Sequence, residues 1–169
     1  EEAVQDLADL FRANLSEKRS LISLKEELES ARIYQRIEQL RMGDRLRIDW
    51  HVDNMPRDAM VPPPVLQPLL ENAVYHGIEP SSTPGTISVN IFLSKGEVHA
   101  VLRNPYRAAG GRHHSGNKMA LANIRERLAA LYGAGAKLTL ESNSPSGVIA
   151  TIEAPIEGLR AQAAQAAQA

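Results

Sequence analysis

Between Leu66 and Ile78 a carboxylate, an amide and an imidazole (Glu71, Asn72 and His76) stand among leucines at spacings that suit one helix. At about 100° per residue, Leu66, Leu69, Leu70, Ala73 and Val74 fall within an arc of roughly 140°, the face that seeks a core. Asn72 and His76 are four apart and stack on one edge of the polar side. Glu71 lies about 100° from Asn72 on that same side. Such a group can hold a hydrated Mg2+ and a phosphate, because magnesium prefers oxygen ligands and keeps several waters. The same spacing also describes an ordinary solvated helix face.

A second group lies between Asn104 and Asn123. Its first part has no hydrophobic period and holds Pro105, Gly110, Gly111 and Gly116 among Arg107, Arg112, His113, His114 and Lys118. It ends at an expected helix start, Gly116-Asn117-Lys118, where free N–H groups and the positive end of the helix dipole suit phosphate. Glycines let backbone approach a ligand closely. A segment this long without periodicity is either a functional lid or disordered. A metal on His113-His114 is disfavoured, since no Cys or carboxylate lies close in sequence. The basic cluster also lacks the interleaved aromatics of a single-strand nucleic-acid surface.

The elements that must carry these groups follow from periodicity. Val4, Leu7, Ala8, Phe11 and Leu15 predict a helix over 4–15, followed by a hinge at 20–24. Leu24, Leu28, Ala31 and Tyr34 begin a longer helix, Ile33, Ile37 and Leu40 continue its apolar side, and Gly43 stops it. Both helices are expected to lie outside the sheet region, with their stripes available for dimer contacts. Leu46, Ile48, Trp50 and Val52 alternate with polar residues as a half-buried strand does. After a turn at 54–57, Pro62-Pro63-Pro64 introduces a helix ending near Gly77, and a loop follows at 80–85. Strands are expected over 87–93 and 98–102, joined at Lys95-Gly96, then a helix over 118–132 and two strands over 137–141 and 147–154. This order argues for an antiparallel-rich sheet with helices on one face.

Composition narrows the function. The 169 residues are 43% hydrophobic and 23% charged, ordinary values for a folded chain. Nineteen Lys and Arg against twenty Asp and Glu leave a net charge of −1, without the global basic field of a nucleic-acid binder. The absence of Cys removes disulfides, thiolate chemistry and Cys-based zinc sites. No apolar run of about 18 residues spans a membrane. The chain starts at Glu1-Glu2 with neither Met nor a signal peptide and reads as an excised fragment, and its Ala/Gln-rich end reads as frayed helix or disorder.

The segment from Leu66 to Ile78 resembles, at every consecutive position, the N box of the LytS/YehU-type sensor histidine kinases. Those proteins close with a GHKL ATPase domain, of the superfamily shared with gyrase, MutL and a heat-shock chaperone. Residues 23–28 and 34–46 resemble the family's linker, and 121–128 the segment after its second glycine box. Within the family, the details resemble an AlgZ (FimS)-like branch. The resemblance implies an α/β (α+β) two-layer sandwich, with a mixed, largely antiparallel sheet covered by helices on one face and preceded by a helical segment. It divides the chain into a dimerisation and linker part (1–43), an ATP-binding domain (44–157) and a tail (158–169).

The resemblance also implies roles. Glu71 is the general base or water-positioning carboxylate, Asn72 ligates Mg2+, His76 faces the phosphates of ATP, and Tyr75 belongs to the same nucleotide-contacting motif. Asn104 stands where the family has an Asp that accepts from the adenine amino group. The second glycine box reads Gly116-Asn117-Lys118-Met119-Ala120-Leu121, so only its first glycine is kept, with Lys118 as a point charge for phosphate. The acceptor His lies upstream of Glu1. The implied partners are a LytTR-type, AlgR-like response regulator and a second copy in a homodimer, with no nucleic acid. The implied location is the cytoplasmic side of an inner membrane, reached only through a preceding region. The altered glycine boxes leave an alternative, a dimerisation and regulator-docking module that binds nucleotide weakly or not at all.

Overall fold

The computed structural model describes residues 2–15, 21–105, 115–143 and 147–155. Helix α1 (Glu2–Leu15) leads to a short strand β1 (Ile22–Ser23) and helix α2 (Leu24–Met42). Ser23 and Glu26 form a capping box, the Ser23 side chain accepting from Glu26 N–H and the Glu26 side chain from Ser23 N–H. Gly43, at φ 56°, ends the helix in a conformation that costs a residue without Cβ little. Strand β2 (Leu46–His51) follows, then β3 (Met60–Val61), which pairs antiparallel with β1, and helix α3 (Leu66–Gly77). Strands β4 (Gly85–Ser94) and β5 (Glu97–Asn104) form a hairpin across Lys95-Gly96, both at positive φ as a tight two-residue turn requires. Helix α4 (Ser115–Tyr132) and strands β6 (Lys137–Asn143) and β7 (Gly147–Pro155) complete the described chain.

The main sheet runs β2-β4-β5-β7-β6, with β2 parallel to β4 and every other pair antiparallel. It is the mixed, largely antiparallel sheet expected. Alternation along the strands puts Leu46 and Ile48, Ile87, Val89 and Ile91, and Val98, Ala100 and Leu102 on one buried face. Arg47, Asp49, Asn90 and Arg103 are exposed on the other. Helices α2, α3 and α4 cover the buried face and share one apolar cluster with it. Residues such as Leu70, Ile87 and Ile91, at 0% exposure, each contribute roughly 2 kcal/mol by leaving water.

The described structure departs from two expectations. The stripe on α2 was expected outside the sheet region, yet Leu24, Leu28, Ala31 and Tyr34 are buried in the shared core, so that core extends across residue 43. Only the outer surface of the helical segment stays apolar and open, at Val4, Leu7 and Leu40. Helix α4 begins at Ser115 rather than 118, so Gly116 and Lys118 lie within its first turn. Residues there need not supply internal N–H bonds, which makes Ser and Gly tolerable. Residues 106–114 and the Ala/Gln-rich end lie outside the described residues. Among the described residues no helix is long and apolar enough to cross a membrane.

Candidate functional site

Helix α3 lies between α2, α4 and the sheet, and none of its residues is exposed. Leu66, Leu69, Leu70, Ala73 and Val74 face the core as their spacing predicts. Asn72 is only 8% exposed, which excludes the freely solvated helix face. Glu71, Tyr75 and His76 are half-buried beside it. Glu71 accepts from Gln67 Nε2 at 2.9 Å, an i, i+4 bond that restrains the carboxylate. The Tyr75 and His76 rings meet edge to face, with centroids 4.9 Å apart.

The C-terminal end of α3 meets the end of β5. A Cβ added to Gly77 would stand 2.8 Å from both Cβ and Nδ2 of Asn104, so only glycine permits this approach. Asn104 is buried, and its Nδ2 donates to the carbonyl of Pro105 at 3.1 Å. The fold thus brings Asn104 to the helix carrying Glu71, Asn72, Tyr75 and His76. The α4 backbone places Gly116 and Lys118 in a helical first turn, while their side chains lie outside the described residues. Leu121 is buried in the core with Ile124 and Leu128. Arg107, Arg112, His113 and His114 also lie outside the described residues.

The site is electrostatically mixed. Burial, then the Glu38 and Glu71 carboxylates, raise the Tyr34 phenol above its ordinary range. Burial likewise raises Glu27, opposed by hydrogen bonds from Leu66 and Val65 N–H and by the charge of Arg127. Among the described residues no group of three or more His, Cys, Asp or Glu could cage a metal. The Asn72 amide and the Glu71 carboxylate are adjacent oxygen donors on α3. That set fits Mg2+ arriving with its own waters and phosphate oxygens, the usual manner of its binding. A cavity of about 540 Å³ lies elsewhere, lined by Arg47, Thr86, Ser88 and Arg103, and meets this site only at Asn104.

Sequence reasoning missed Glu27. It falls on the stripe of Leu24, Leu28, Ala31 and Tyr34, and a carboxylate at an apolar-stripe position is a legible sign of a buried polar role. It is 3% exposed. Arg127 gives a weaker sign, three residues after Ile124 on the flank of the α4 stripe.

A family model described as Histidine kinase matches residues 1–46. The sensor protein LytS of Oceanobacillus iheyensis is 32% identical over 157 residues, covering 85% of this chain and 27% of that protein. The sensor histidine kinase/phosphatase LytS of Staphylococcus aureus is 31% identical over 161 residues, with the same coverage of 85% and 27%. In fold, the chain is similar to the nucleotide-free catalytic domain of histidine kinase ThkA. The TM-score is 0.59 at 17% identity, over 80% of this chain and 95% of that one. ThkA in complex with the response regulator TrrA aligns at TM-score 0.56 and 14% identity, over 92% of this chain and 48% of that one. The chain spans about a quarter of the length of the curated relatives it matches, 27% in both LytS comparisons. With this identity spread over most of the chain, and the fold of a kinase catalytic domain beneath it, the chain belongs to the LytS-type sensor histidine kinases.

Proposed function

We propose that this chain is the ATP-binding catalytic region of a protein that moves the γ-phosphoryl of ATP to a histidine upstream of residue 1, and from there to a response regulator. The observation that carries the reading is the convergence of Glu71, Asn72, Tyr75 and His76 on one enclosed helix whose end abuts Asn104. Asn72 would offer its amide oxygen to Mg2+, and His76 and Tyr75 would line the phosphates. The restrained Glu71 carboxylate would take the proton released by the attacking imidazole. Asn104 spends its NH2 group on Pro105, which leaves its oxygen to accept from the adenine amino group. The first turn of α4, with Gly116 and Lys118, offers N–H groups to phosphate. Mg2+, when bound with the nucleotide, supplies neutralisation of phosphate charge. Catalysis then comes mainly from positioning and electrostatics.

The proposed partners are a LytTR-type, AlgR-like response regulator and a second copy in a homodimer, as in an AlgZ-like sensor. The complex of ThkA with TrrA supports the regulator. The proposed setting is the cytoplasmic side of an inner membrane. We retain the division at residues 43 and 157 as a functional one, with α2 contributing to the core of the ATP-binding unit. Titration calorimetry with ATP, with and without Mg2+, tests the reading. Binding that requires Mg2+ is expected, and Asn72→Asp should weaken it about tenfold or more by setting a second carboxylate beside the phosphates. Unchanged affinity in a folded Asn72→Asp protein removes Asn72 from the site. No binding under either condition favours the regulator-docking module.

A further inference from the structure

Helix α3 carries the candidate phosphate-facing side chains, yet no side chain of its own caps its entry. Its N-cap is Val65, whose side chain makes no capping bond. The N–H groups of a helix start need partners when buried. Here the partner comes from another helix: Glu27 of α2 accepts at one oxygen, Oε2, from Val65 N–H at 2.9 Å and Leu66 N–H at 2.8 Å. On the same entry, Arg127 of α4 donates from Nη1 to the Pro63 carbonyl at 2.8 Å and from Nη2 to the Pro64 carbonyl at 2.6 Å. At the far end, Arg45, just after α2, reaches three carbonyls through Nη2: Ile78 at 3.3 Å, Glu79 at 3.4 Å and Ser81 at 2.5 Å. Arg41 of α2 also pairs with Glu79.

Helix α2 and the turn after it therefore hold the α3 entry and the chain just beyond the α3 end, and the shared core fills the space between. A buried carboxylate is costly unless hydrogen-bonded, so Glu27 and the α3 entry hold one another in place. We infer that Glu27 and Arg45 are positioning residues that set where Glu71, Asn72 and His76 stand relative to Asn104, so that nucleotide binding depends on the placement of α2. This rests on the reading of α3 as the nucleotide helix. Glu27 touches no substrate atom; it acts through the backbone of Val65 and Leu66.

The test uses this chain with Glu27→Gln, Glu27→Ala, Arg45→Ala and, as a control away from α3, the core truncation Leu138→Ala. An amide oxygen can accept the same two bonds. Glu27→Gln should therefore keep Mg-ATP affinity within about threefold, whereas Glu27→Ala should lose about tenfold or more. Leu138→Ala should lower Tm and leave affinity unchanged. Should Glu27→Ala not fold, Arg45→Ala carries the same expectation from the other end. Folded Glu27→Ala or Arg45→Ala with wild-type affinity overturns the inference, as does an equal loss in Leu138→Ala. Where the wild-type chain binds no Mg-ATP, the nucleotide reading has failed. Hydrogen exchange then judges the grip: Glu27→Ala should accelerate the amides of 65–69, and unchanged protection there overturns it.

Discussion

Asn104 and Gly77 show how one contact decides what a substitution does. On chemistry alone, a carboxylate at 104 would accept from an adenine amino group more strongly than an amide, since charge-assisted bonds are about twice as strong. The structure adds a cost, because Asp would replace the donor that Nδ2 offers to the Pro105 carbonyl with a second acceptor. We therefore expect Asn104→Asp to lower stability by about 1 kcal/mol while raising the ratio of ATP to GTP affinity. GTP has an oxygen where adenine carries its amino group. Thermal melts and calorimetry with both nucleotides check this, and a ratio that does not rise removes Asn104 as the base reader. Gly77→Ala acts on the same pair. Its Cβ would stand 2.8 Å from the Asn104 Cβ, an atom rooted in the backbone that cannot swing aside. Overpacking of this kind costs about 2 kcal/mol. Urea unfolding should show that loss together with weaker ATP binding.

At the scale of elements, two carboxylates tie helices together and should titrate with opposite slopes. Asp6 of α1 accepts from Arg36 of α2 through Nε at 3.2 and 3.1 Å and through Nη2 at 2.6 Å. The Arg36 hydrogen bonds hold its carboxyl below the ordinary 3.8. Its contribution is therefore present above 3.8 and lost as pH falls through the lowered folded value. Glu27 goes the other way, because burial raises it above the ordinary 4.5. Between 4.5 and the raised value the folded state holds more protons than the unfolded one, so stability falls as pH rises. The Tm of Glu27→Gln minus that of wild type should thus grow with pH above 4.5. Acid should expose the α1 amides in wild type, whereas in Asp6→Asn their exchange should be fast already at neutral pH. Tm across a pH series and amide exchange of α1 measure both, and parallel Tm curves for Glu27→Gln and wild type would refute the first.

For the whole molecule, the reading makes the chain a donor without its acceptor. With the acceptor proposed upstream of residue 1, none of His51, His76, His99, His113 and His114 is expected to take the phosphoryl group. Incubation with radiolabelled ATP, followed by a denaturing gel, should leave the chain without acid-labile label. A stable phosphohistidine at any of the five would overturn the assignment. The sheet and its helices form one unit with α2, so α2 is no detachable arm. Truncation before Gly43 should remove both the α3 entry cap and five buried core side chains, Leu24, Leu28, Ala31, Tyr34 and Met42.

Much of this was legible along the chain because it is local. Alternation at Leu46–His51 and Gly85–Ser94, the turn at Lys95-Gly96 and the helical stripe of Leu66–Gly77 each depend on neighbours a few residues away. The grouping of Glu71, Asn72, Tyr75 and His76 was legible for the same reason, since they share one helix. An amphipathic stripe, however, states that a helix has a buried face and not what buries it. That is why the stripe on α2 reads equally well as a dimer surface, and why Asn72 reads as half of a solvated edge until α2, α4 and the sheet close around α3. The cap that Glu27 places on Val65 and Leu66 spans 38 and 39 residues of sequence, and the seat of Asn104 against Gly77 joins a strand end to a helix end. Contacts of that range leave no periodic trace, because their geometry exists only once the helices and the sheet have packed.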